Sequence, residues 1–165
     1  MSDDVVTGSP TSALRLLAEA IAWWRVGSSD GRRVLVDAAV EALLAGSESD
    51  ALAELAGVPP DESPFVIEAL IDRVSEEEAL DDTDADARLL AARWLCRALL
   101  SGQTHERDLT RWVHDTFSHG SSSDELNRLA ELDDDFDLSD AGVGRGAEEL
   151  IARVREEARR FLKSP

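Results

Sequence analysis

From residue 11 onward, apolar side chains recur at intervals of three and four, a spacing that admits little besides α-helix. The last segment is the plainest. Ala147, Leu150, Ile151, Val154, Ala158 and Phe161 share one stripe, and Glu149/Arg153 and Glu156/Arg160 pair on the outer face. Near the start, Thr11 or Ser12 caps a first helix with Leu14, Leu17, Ala18, Ile21 and Trp24 inward, and Gly27-Ser28-Ser29 ends it. Asp30 opens a second with Leu35, Ala39, Ala42 and Leu43 inward; the alanines after Val34-Leu35-Val36 favour helix over a short strand. A short third helix over about Asp50–Ala56 is closed by Gly57 and Pro59-Pro60. Ser63-Pro64 pairs a capping residue with proline at the first helical position, and the helix it opens buries Val66, Ile67, Leu70, Ile71 and Val74.

A fifth helix over about 86–100 is apolar round most of its girth through Leu89, Leu90, Ala91, Trp94, Leu95, Ala98 and Leu99, as suits a central helix. Thr104 caps a sixth that runs to about Ser118, and Leu126, Leu129 and Leu132 mark a seventh over 124–132. Asp133 to Gly146 reads as an acidic, glycine-containing loop. No period of 20–50 residues repeats. The expectation is an all-α protein: a flexible acidic N-terminus over 1–10, then a single compact bundle of about six to eight helices over 11–165.

Charge sets the expected company of such a bundle. Asp and Glu number 35 against 17 Lys and Arg, a formal net of -18, and Lys163 is the only lysine. With 43% hydrophobic residues the acidity decorates a core rather than replacing one. A surface of this sign repels nucleic-acid phosphates and anionic membranes and attracts basic proteins. Solubility or salt adaptation is the plainer account of the same charge, and arginine in place of lysine is what a GC-rich genome encodes. The opening Met-Ser-Asp-Asp is acidic where a secretory signal is basic, and Ala13–Val26 is interrupted by Arg15, Glu19 and Arg25. A lone Cys96 forms no internal disulfide, so a cytoplasmic protein is expected.

The acidity gathers in two runs, each expected between helices where recognition segments sit. Glu76, Glu77, Glu78, Asp81, Asp82 and Asp84 form the first; Asp133, Asp134, Asp135, Asp137 and Asp140 form the second. These are the candidate partner-binding residues. Trp23, a quarter-turn from Trp24, joins them as a candidate exposed anchor, while Trp24, Trp94 and Trp112 belong to apolar stripes.

Recognisable chemistry is sparse. Asp133, Asp135 and Asp137 alternate as in a calcium loop, but Leu138 stands where glycine is required and Gly144 where glutamate is required. Gly142-Val143-Gly144-Arg145-Gly146 follows no strand and lacks the Walker pattern. His114 and His119 are five apart, on different faces of a helix, where zinc-binding pairs are four apart, and His119 before Gly120 suits a helix end. Cys96 reads as a small buried hydrophobe. No catalytic residue, metal or cofactor is expected.

The stretch Ala42-Leu43-Leu44-Ala45-Gly46-Ser47-Glu48-Ser49-Asp50-Ala51-Leu52-Ala53-Glu54-Leu55-Ala56-Gly57 resembles a phrase recurring in small helical actinobacterial proteins, LVAG-x-DS-x-AL-x-x-LAG. A helix similar to Ser63–Val74 follows it there, and Ala92-Arg93-Trp94-Leu95-Cys96-Arg97, Gly102 and Trp112-Val113-His114 are also similar. The pattern departs at Ser75 to Leu80, where those proteins usually end in LEELG. Such proteins resemble immunity proteins of bacterial toxin systems. The resemblance implies binding and neutralising a toxin, with no catalytic residues to carry over. A small helical enzyme, or a regulatory or scaffold protein using His114, His119 or the Asp133–Asp140 run, is the alternative.

Overall fold

The structure is a computed structural model describing residues 9–80 and 87–164. Eight helices account for the regular structure of these residues, with no strand among them: α1 Pro10–Arg25, α2 Gly31–Leu44, α3 Asp50–Ala56, α4 Pro64–Glu77, α5 Ala87–Leu100, α6 Glu106–Phe117, α7 Asp124–Asp140 and α8 Ala147–Lys163. The expected all-α class and helix count are what is found. The chain divides into two compact units, Met1–Ala91 and Ala92–Pro165, so the division falls within α5.

The first unit is built on an interior of Leu17, Ile21, Leu35, Leu52, Leu55, Ile67, Ile71 and Val74, drawn from α1 to α4. α1 is capped by Ser9, ahead of the expected Thr11 or Ser12. Ser9 accepts a bond from the Ser12 amide and Pro10 takes the first helical position, the same serine–proline signal that opens α4. Gly31 sits where α1 meets α2: a Cβ there would lie 2.6 Å from Ser28 Oγ and 3.0 Å from Trp24 Cα. α3 has only seven residues, too few to persist alone, and is held at its start by α4. Arg32 fastens the following loop by donating to the carbonyls of Pro59, Pro60 and Glu62 at 2.7–3.1 Å.

Tryptophan burial reverses the expected order. Trp23, the expected exposed anchor, is 8% exposed and donates from Nε1 to Asp30 at 2.8 Å. Trp24, expected in the core, is half-buried and donates from Nε1 to Glu68 at 2.5 Å. Val66 is exposed rather than inward, as is Ile151 on α8.

In the second unit α6, α7 and α8 pack around Leu109, Val113, Leu126, Leu129, Leu150, Val154 and Phe161, all buried. Arg93 of α5 donates to the carbonyls of Phe161, Leu162 and Ser164 at 3.0–3.4 Å, satisfying the open end of α8. Lys163 is exposed in that last turn. The largest correction is α7. It continues eight residues beyond 132, so Asp133 to Asp140 are helical and the expected loop shrinks to the segment before α8. The amide of Val143 bonds the Leu138 carbonyl at 2.8 Å and Gly142 lies at φ 77°, a left-handed helix end that glycine permits. Both pairs expected on α8 form, Glu149 to Arg153 at 3.0 Å and Glu156 to Arg160.

Candidate functional site

Two of the three described members of the first acidic run are bonded within their own unit. Glu77, from the last turn of α4, accepts from Ser49 Oγ at 2.6 Å and from the Ala51 amide at 3.1 Å. Ser49 in turn accepts from the Leu52 amide, so one carboxylate and one hydroxyl satisfy the open N-terminus of α3 between them. The Ser49 bond, then the Ala51 amide, hold the Glu77 carboxyl below its ordinary range. Glu78 accepts from Ser47 Oγ, and Glu76 faces solvent. Asp81, Asp82 and Asp84 lie outside the described residues.

The second run is arranged by the helix that carries it. Leu129, Leu132, Asp133 and Phe136 follow one inward stripe, which puts Asp133 in the interior at 6% exposure. As an expected partner-facing residue, Asp133 is therefore misplaced. Its carboxylate instead accepts from Thr110 Oγ1 at 3.1 Å and lies 3.1 Å from His114 Nδ1, and its carbonyl accepts from Arg107 at 3.2 Å. Arg107 also pairs with Asp137 and, at 3.8 Å, with Asp140, while its guanidinium stands over the Phe136 ring at 5.2 Å. Arg145 pairs with Asp135 at 2.6 Å. Five carboxylates that read as a loop are thus ordered on a helix by α6 and by the segment before α8.

The exposed members are Asp134, Asp137 and Asp140, and Glu131, just before the run, is exposed as well. Each of these four is three residues from the next and so is its surface neighbour, and at about 100° per residue the acidic row winds half-way round α7 between Glu131 and Asp140. Beside it, α7 and α8 frame a groove of about 450 Å³ lined by Arg128, Arg145, Arg153 and Arg160 among others. Those arginines are matched by acids: Arg128 and Arg160 bond Glu157 at 3.4 and 3.1 Å, and Arg145 and Arg153 share Glu149.

At the far end of α6 the histidines come together. The helix stops at Phe117, and Ser118 takes φ 51°, turning the chain back so that the His114 and His119 rings lie 5.0 Å apart. Helical spacing puts the two on different faces, but the turn at Ser118 takes His119 out of the helix. His119 Nε2 is 3.3 Å from Asp134 Oδ2, and His114 Nδ1 is 3.7 Å from Asp134 Oδ1. His105 stands apart as the N-cap of α6.

Sequence reasoning also passed over Phe65, which is 87% exposed at the start of α4 beside exposed Asp61, Pro64 and Val66. The signal was available: Phe65 lies off the Ile67, Leu70, Ile71, Val74 stripe. No helix among the described residues is long and apolar enough to cross a membrane. Set against known proteins, the chain matches no family, no curated protein and no solved structure.

Proposed function

We propose that this chain is a cytoplasmic binding protein for a basic protein partner, and that it neutralises that partner as an immunity protein neutralises a cognate toxin. The observation that carries the reading is the exposed acidic row Glu131, Asp134, Asp137 and Asp140 on one helix of a chain with net charge -18. A helix holds its charges at fixed spacing, so less conformational entropy is lost on binding than with a mobile acidic loop. Enzymes that cleave nucleic acid bind phosphate through Lys and Arg, and a negative surface competes for that site and speeds encounter. Binding, not catalysis, is the role this supports.

The test pairs Glu131→Gln, Asp137→Asn and Asp140→Asn in one variant, leaving the buried Asp133 intact. The unaltered protein is tagged in its source cell, its tight partner is identified, and association is followed as salt is raised. A positively charged partner whose on-rate falls with salt, falls further in the triple variant, and whose toxicity is suppressed by co-expression supports the proposal. A neutral or acidic partner, or an on-rate indifferent to both salt and the three changes, refutes it.

A further inference from the structure

We propose that His114, His119 and Asp134 form a binding site for a single divalent transition-metal ion of the zinc type, tying the end of α6 to α7. One ligand atom from each residue can be chosen so that all lie within 4.8 Å of one another. Zinc bonds of about 2.0–2.1 Å set neighbouring ligand atoms in a tetrahedron about 3.4 Å apart. The pair His119 Nε2 and Asp134 Oδ2 already stands at 3.3 Å, so the remaining adjustment is a rotation of side chains rather than of helices. His119 and Asp134 are about half exposed, at 49% and 52%, which gives them that freedom and gives an ion a path from solvent.

The surroundings suit a ligand set as well as the three residues do. Asp133 is buried and lies 3.1 Å from His114 Nδ1, and Thr110 Oγ1 bonds its other oxygen. With Nδ1 donating to Asp133, His114 would offer Nε2 to the ion, its tautomer and ring orientation set by that bond. Two imidazoles and one carboxylate leave a fourth position for water, and this mixed donor set suits zinc-like ions better than magnesium or calcium, which take oxygen. The net negative charge of the chain adds a favourable field for any cation. The site shares Asp134 with the acidic row, but it stands on α6 and α7 whatever the protein binds.

The test uses the full chain, stripped with a chelator and titrated with zinc alone, by calorimetry and native mass spectrometry. The proposal expects one zinc per chain and a melting temperature that climbs with zinc concentration, as for any ligand bound only by the folded state. His119→Ala and Asp134→Asn, both at exposed positions, should each weaken zinc by about tenfold or more. His105→Ala should leave the affinity unchanged. Circular dichroism of the two exposed variants establishes that they fold. Failure to bind zinc stoichiometrically would overturn the site, as would equal stabilisation by magnesium, or zinc affinity indifferent to His119→Ala and Asp134→Asn. The last two results assign the binding to the acidic surface at large. None of these outcomes depends on a protein partner, so the two proposals fail separately.

Discussion

Glu77 shows how one carboxylate can be withdrawn from a charged surface and given a structural task. It lies at the end of α4, yet its two bonds go to Ser49 and Ala51 at the start of α3. Because those bonds favour the ionised form, its folded-state pKa lies below the ordinary glutamate value. A carboxyl whose pKa is depressed by folding stabilises fully above its unfolded value and loses that contribution as pH falls through the folded one. Acid should therefore loosen the α3–α4 contact below about pH 4.3, the ordinary glutamate value. Glu77→Gln keeps the size of the side chain and removes the charge. The variant should be less stable than the parent at neutral pH and should converge with it toward pH 3, as read by urea denaturation across that range. Two parallel curves would mean that the carboxylate contributes no charge-dependent support to α3.

At the scale of elements, the junction of α1 and α2 is set by the absence of a side chain. The Cβ of an alanine at position 31 would meet Ser28 Oγ, itself fixed by a 2.8 Å bond to the Trp23 carbonyl, and the Trp24 backbone beyond it. Neither neighbour yields easily. Gly31→Ala should cost about 1–3 kcal/mol, the usual range for overpacking, measured as a shift in denaturation midpoint with the m-value unchanged. An unchanged midpoint would show that the two helices separate without strain. Element identity was legible in the sequence wherever a stripe and its stops agreed: α3, α4 and α8 lie where Gly57, Ser63-Pro64 and the Leu150–Phe161 spacing put them. α7 was misread because Asp133 occupies an inward position, so the stripe from Leu129 through Phe136 looked broken. That carboxylate is tolerated inside by Thr110, His114 and Arg107, which lie 19 to 26 residues earlier and which no local pattern reveals. The pairing of His114 with His119 was hidden for a related reason: it depends on where α6 stops and on the backbone turn at Ser118.

Over the whole molecule, local pairing and net repulsion pull in opposite directions. Arg107 and Arg145 neutralise acids of α7, and Arg73 bonds Glu54 at 2.9 Å on the first unit, yet an excess of 18 negative charges remains. Exposed pairs of this kind contribute only about 0–1 kcal/mol each, so the unbalanced excess should dominate the response to salt. Between about 0.01 M and 1 M salt the Debye length falls from about 30 Å to about 3 Å. The melting temperature should rise over that interval. A fall would show that the arginine pairs outweigh the repulsion among unmatched carboxylates.

Lys163, exposed in the last turn of α8, supplies the chain's sole side-chain amine. Acylating reagents and enzymes that build isopeptide bonds therefore have one internal target besides the α-amine. A fluorophore coupled there reports from a known place, next to the carbonyls held by Arg93. Acetylation at the same atom removes a cation from a helix C-terminus, where positive charge is favoured, so even a conservative label perturbs α8 in a definite direction.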